Sequence, residues 1–242
     1  MSVAEEKPAG RAPLDAILVK VLQAVPFQLT TDGGVEASRR RFRDLPRRPV
    51  HPDVRTEDRT IDGPAGPIPI RVYRPPTDAE ATLPVVVFIH GGGWSVGDLD
   101  TYDGEARNHA VGARAVVVSV NYRLAPEHPY PAAVEDAWAA TQWVAAHAGE
   151  LGVEPDRLAV AGDSAGGNLA AVVAQLARDA GGPPIRFQLL WYPATTWDTS
   201  LPSFTENADA PLLDGSATRG FSRWYVGDLD LSDMPATLAP GI

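Results

Sequence analysis

The chain contains no cysteine. That rules out a disulfide framework and a thiolate metal site. It also lacks a long apolar run. The first apolar stretch, Leu14 to Val25, is broken by Asp15, Lys20 and Gln23. Such a stretch reads as an amphipathic helix, too short and too polar for a bilayer span or a secretory core. The residues ahead of it are polar and mixed in charge, so they read as a disordered tail to about residue 12. No targeting segment is read, and a cytoplasmic location is the expectation. Positive charge is in deficit: Lys and Arg number 21 against 31 Asp and Glu, a net charge of −10. That balance argues against nucleic acid and against anionic membrane surfaces as partners. The arginines at 39, 40, 41, 43, 47 and 48 read as the solvated face and exit loop of an N-terminal helix rather than as a basic patch. No internal repeat, low-complexity tract, metal-ligand set or cofactor motif is read, so metal and cofactor are both expected to be none. What remains, 242 residues with 44% hydrophobic content, fits one soluble α/β domain with a small appendage.

The chemistry concentrates in two glycine-rich segments. The first is Gly162-Asp163-Ser164-Ala165-Gly166-Gly167. Arg157 to Ala161 before it is short and apolar, as a buried strand is. After it, Leu169, Val172, Val173 and Leu176 share one helical face until Gly181-Gly182-Pro183 stops the helix. G-x-S-x-G between a strand and a helix is a nucleophile elbow, in which small neighbours let the backbone strain and expose the serine hydroxyl. The bland alternative is a glycine-rich helix start with a capping serine. The second segment lies upstream, where the strand-like Leu83 to Ile89 runs into His90-Gly91-Gly92-Gly93-Trp94. Glycines let a chain turn tightly while aiming successive N–H groups at one point. In acyl transfer that point holds the oxyanion, and each donor there is worth roughly 3–4 kcal/mol of barrier. Three glycines alone would be a weak signal, but paired with the elbow in this order they are a strong one.

These motifs, with Asn121-Tyr122-Arg123-Leu124-Ala125-Pro126-Glu127-His128-Pro129 between them, resemble the hormone-sensitive-lipase family of esterases (bacterial family IV), GDSAGG branch. The resemblance runs from about Leu14 to the end. It implies an α/β-hydrolase fold with a small helical cap, Ser164 as nucleophile, and the N–H groups of Gly92, Gly93 and Ala165 as oxyanion donors. His90, Gly91, Gly162, Asp163 and Gly166 support the motifs, and Trp94, Leu212 and Phe221 are expected at a substrate pocket. It further implies hydrolysis of small carboxylic esters of short acyl chain. Asn121 stands where many members carry aspartate, a minor departure. A larger one concerns the triad, whose order in this fold is Ser, then Asp or Glu, then His. All five histidines (His51, His90, His109, His128, His147) precede Ser164. Asp198, Asp209, Asp214, Asp228, Asp230 and Asp233 follow it, but none has the family's Asp-Pro-Leu setting, and no His-Gly-Phe-like segment occurs. The expectation is a C-terminally truncated form without the catalytic Asp and His and without the last strand–helix units. None of the upstream histidines reads as a substitute base: His90 should brace the oxyanion loop, His128 belongs to a structural loop, and His147 should be solvated. The competing readings are a catalytically dead small-molecule-binding module on the same fold and a broken gene product.

The remaining pattern alternates strand and helix, which implies a mostly parallel sheet covered on both faces. A hairpin is expected at 56–61 and 68–73, strands at 85–89, 115–120, 157–161 and 186–191, and helices near 103–112, 132–148 and 165–179. Residues 1–50 and 195–242 read as cap segments around a core at 51–194. The strand at 186–191 should be an apolar edge and a route to a homo-oligomer.

Overall fold

The computed structural model describes residues 14–24, 27–77, 82–231 and 234–241. The expected N-terminal tail therefore lies outside the described residues, as does Val25, where the first helix was expected to end. The elements are α1 (Ala16–Ala24), α2 (Val35–Arg43), β1 (Arg55–Gly63), β2 (Gly66–Arg74), β3 (Leu83–Ile89), α3 (Asp103–Ala113) and β4 (Val116–Val120). They continue as α4 (Ala132–Ala146), α5 (Ala148–Leu151), β5 (Val153–Asp163), α6 (Ala165–Asp179), β6 (Ile185–Trp191), α7 (Pro202–Glu206) and α8 (Gly215–Val226).

One sheet carries the fold, in the order β1-β2-β4-β3-β5-β6. The hairpin β1–β2 is antiparallel, and β2 pairs antiparallel with β4. From β4 onward every pairing is parallel. All of β4 is buried, and so is β3 apart from a partly exposed Pro84. Continuous valine-rich strands of this kind suit a sheet with helices on both faces. The helical stripe read from the sequence lies where it should: Leu169, Val172 and Val173 are buried against the sheet, and Leu176 is partly buried beside them.

Two expectations need correction. The helix at 132–148 breaks at His147, whose backbone leaves the helical region, so α4 and α5 are separate. His147 itself is half-buried rather than solvated. Its Nδ1 bonds the Trp143 carbonyl at 2.8 Å, and its ring stacks on Trp143 at 4.3 Å. Strand β6 is an edge, as expected, and Phe187 on it is 61% exposed.

Parallel pairing sets the ends of β3 and β5 side by side, with Ile89 opposite Gly162. The two turns that leave those ends touch through glycine. A Cβ on Gly166 would run into the carbonyls of Ile89 and His90, and one on Gly162 would meet the Gly166 carbonyl. Backbone cannot move aside as a flexible side chain can. Gly166→Ala is therefore expected to destabilise the protein by about 3 kcal/mol, seen as a fall in Tm of roughly 6–12 °C. Gly112→Ala is the control, because its Cβ would meet open space in α3. It should be neutral or stabilising by up to about 1 kcal/mol. Equal melts for the two variants would contradict this packing.

Candidate active site

Ser164 occupies the turn between β5 and α6 at φ 52, ψ −116. A positive φ is uncommon for a residue with a Cβ and persists only where the surroundings enforce it. Those surroundings are the end of β6 and the segment after it. Ser164 N–H donates to Trp191 O at 2.9 Å, and Ser164 O accepts from Ala194 N–H at 3.2 Å and from Asn168 N–H at 3.0 Å. Asn168, in turn, is fully buried and donates from Nδ2 to Ala194 O and Leu238 O. The half-buried Ser164 side chain forms no hydrogen bond among the described residues, which leaves its hydroxyl available.

The glycine loop follows β3. Gly92 and Gly93 both have positive φ, 104 and 56. The Gly92 carbonyl accepts from the N–H groups of Ser95 and Val96, closing the loop into a tight turn. The N–H groups of Gly92 and Gly93 donate to no other described residue. Ala165 heads α6, so its N–H is one of the donors that a helix start leaves unpaired. Thus Gly92, Gly93 and Ala165 all keep N–H groups free next to Ser164's turn.

His90 braces the loop, as the sequence implied. It is fully buried, stacked at 4.4 Å on Tyr122 and at 5.2 Å on Tyr102, and its Nδ1 bonds the Gly91 carbonyl at 2.8 Å. Burial lowers its pKa to about 4, against the small opposing effect of that bond. The neutral ring leaves Nε2 without a donor or acceptor partner. Tyr122 OH donates to His90 O at 2.8 Å, fixing the last residue before the glycines.

Asp163 bridges the two motifs. Its Oδ1 accepts from Gly91 N–H at 2.9 Å, and its Oδ2 accepts from Tyr102 OH at 3.2 Å. Burial pushes the Asp163 carboxyl above the usual carboxylate range, and these two donors pull the other way. Tyr102 and Tyr122 carried no signal that pointed to these roles, although Tyr122 lies within the Asn-Tyr-Arg motif.

The flanking elements hold the loop from above. Phe221 of α8 lies where a Gly93 side chain would be, 2.7 Å from an added Cβ. Tyr225, one turn further, stacks on Trp94 at 4.2 Å and 2°, and Trp197 stacks on Trp94 at 5.6 Å while lying 6.4 Å from Tyr225, so the three rings form one cluster. Trp94 and Phe221 are 5% and 3% exposed, while Leu212 is 46% exposed. None of the three lines any of three cavities of about 490–660 Å³ in the protein. The first two pack on or beside the glycine loop, and Leu212 is exposed while its carbonyl accepts from Leu29 N–H. The arginine cluster also needs correction. Arg39 is no solvated residue: it donates to Ser95 O and Ala125 O and pairs with Glu127 at 2.6 Å. Arg47 likewise donates to Thr101 O.

A model of the alpha/beta hydrolase fold matches residues 86–240. The chain belongs to the α/β-hydrolase family. Among similar proteins is the esterase LipI of Mycobacterium tuberculosis, 64% identical over 241 residues, covering 99% of this chain and 74% of that one. The carboxylesterase NlhH of the same organism is 57% identical over 242 residues, covering 98% of this chain and 75% of its own length. A hyperthermophilic esterase from Pyrobaculum calidifontis superposes with a TM-score of 0.83 at 41% identity, over 95% of this chain and 75% of that structure. These relatives place the chain in the hormone-sensitive-lipase branch that its glycine motifs resemble. Within this hydrolase, no described helix is long and apolar enough to cross a membrane.

The five histidines are all described, and none hydrogen-bonds Ser164. His51 pairs with Asn108, and His109 packs between Phe88 and Trp191 with its pKa lowered by burial. For His90, the folded-state pKa lies below the ordinary imidazole value of about 6.5, so the unfolded chain takes up its proton first as pH falls. The stability that rests on a neutral His90 is complete above about pH 6.5. It diminishes toward pH 4 by about 3 kcal/mol in all. Followed by NMR from pH 8 to pH 5, the His90 imidazole should keep the signals of a neutral ring. Half-protonation near pH 6.5 would contradict the burial described.

Proposed function

We propose that the protein is a carboxylic-ester hydrolase for small esters of short acyl chain, working through a Ser164 acyl-enzyme. The observation that carries this is the strained Ser164, whose side chain has no hydrogen-bond partner among the described residues, together with the unpartnered N–H groups of Gly92, Gly93 and Ala165. Ser164 Oγ attacks the ester carbonyl while an imidazole takes its proton. The carbonyl oxygen becomes an oxyanion in reach of the three N–H groups. Collapse breaks the C–O bond to the alcohol, which leaves with the proton from the imidazole. Water, deprotonated by the same group, then attacks the acyl-enzyme and frees the acid and Ser164. The names of LipI and NlhH support this chemistry, and the short-chain preference, about eight carbons or fewer, rests on the family resemblance and the usual size of enclosed apolar pockets. The reading needs an imidazole that these 242 residues do not place at Ser164.

The lack of an imidazole at Ser164 among the described residues also fits a second reading, a small-molecule-binding module on this fold. The two separate cleanly by experiment. In the whole protein, Ser164→Ala is expected to lower kcat for p-nitrophenyl butyrate by about 10⁶-fold. Retention of more than a few per cent of activity would overturn the assignment of Ser164. The 242-residue chain alone should show only the residual catalysis of an oxyanion hole, about 10³–10⁴ over water. Absence of any serine-dependent hydrolysis by the whole protein would favour the binding module.

A further inference from the structure

Asp163 stands next to the proposed nucleophile, yet its carboxylate turns away toward the other motif. Oδ1 takes the N–H of Gly91, the first of the three glycines, and Oδ2 takes the hydroxyl of Tyr102. The approach is so close that a Cβ on Gly91 would collide with the carboxylate. Gly91 can accept this only because it has none.

The next two residues explain why such a tether matters. Gly92 and Gly93 carry the positive φ values of the loop, and their N–H groups have no partner among the described residues. Glycine has the greatest backbone freedom of any residue, so their own sterics do not fix where those N–H groups aim. The direction is set from outside at three points. Val96 and Ser95 N–H groups hold the Gly92 carbonyl, the Phe221 ring abuts Gly93, and Asp163 holds Gly91. Only the last of these comes from the nucleophile's own turn. A carboxylate suits the task because it accepts at two oxygens and donates at none. Its second oxygen is occupied by Tyr102, which also stacks on His90, so the tether is itself braced.

We propose that Asp163 is a positioning residue: by holding Gly91 N–H, it keeps the Gly92 and Gly93 N–H groups aimed at the point above Ser164 Oγ where the oxyanion forms. This rests on the acyl-transfer reading of Ser164. Asp163 acts through the glycine loop, so its effect is on the transition state rather than on substrate affinity.

The test compares Asp163→Ala and Asp163→Asn in the whole protein, using p-nitrophenyl butyrate, fluorophosphonate active-site titration and thermal melts. Removing the tether should cost about as much as losing one oxyanion donor, a fall in kcat per titrated site of about 10²–10³-fold. KM should change by less than about threefold, the mark of an interaction made in the transition state alone. Asparagine keeps an oxygen for Gly91 N–H and an NH₂ that the Tyr102 oxygen can accept from. It should restore kcat to within about tenfold of wild type. Three results overturn the proposal: unchanged kcat per titrated site in Asp163→Ala, a lower Tm and fewer active sites with normal turnover at each, or an asparagine variant no better than alanine. Ser164→Ala, run alongside, keeps the two claims apart. If it is inactive while Asp163→Ala is normal, the tether fails and the nucleophile stands. If it remains active, the reading of Ser164 fails first.

Discussion

The backbones of Gly162 and Gly166 lie against the carbonyls of Ile89 and His90, in a space that admits hydrogen but no methyl group. The rest of the site depends on that contact. Parallel pairing of β3 with β5 brings the two strand ends together. Absent side chains let the turns beyond them interlock instead of splaying. The interlock sets the turn that carries Ser164 against the turn that carries the three glycines. It also exposes Gly91 to the Asp163 carboxylate. The strain at Ser164 is held by backbone bonds to Trp191 and Ala194, so the third strand of the group, β6, contributes as well.

The helical segments outside the sheet act on the same loop. Phe221 and Tyr225 of α8 press on Gly93 and Trp94, and Arg39 of α2 ties Ser95 and Ala125 to Glu127. Helices α2 and α8 thus shape the glycine loop as part of its packing. An aromatic residue beside a glycine loop need not be a pocket wall, because glycine leaves a void that some ring must fill.

Strands β2 to β6, the hairpin and helices α3 and α6 were legible because each carries a strong local signal: valine runs in buried strands, and a 3.6-residue stripe on α6. Ser164 and the three glycines were legible as motifs. The tethers were not. The bond from Asp163 to Gly91 spans 72 residues of sequence, and that from Arg39 to Ala125 spans 86. Such contacts follow from strand order, which local patterning does not specify. The arginine cluster misled for a related reason, since charge alone does not distinguish a solvated guanidinium from one that satisfies buried carbonyls.

The central claim is that Ser164 and the three N–H groups act on one reacting centre. A crystal structure of the whole protein after reaction with a p-nitrophenyl alkylphosphonate tests it most directly, since the adduct mimics the tetrahedral intermediate. The account requires phosphorus bonded to Ser164 Oγ, with one phosphonyl oxygen about 2.7–3.1 Å from the N atoms of Gly92, Gly93 and Ala165. An adduct on another residue, or an oxygen turned away from the glycine loop, would contradict it.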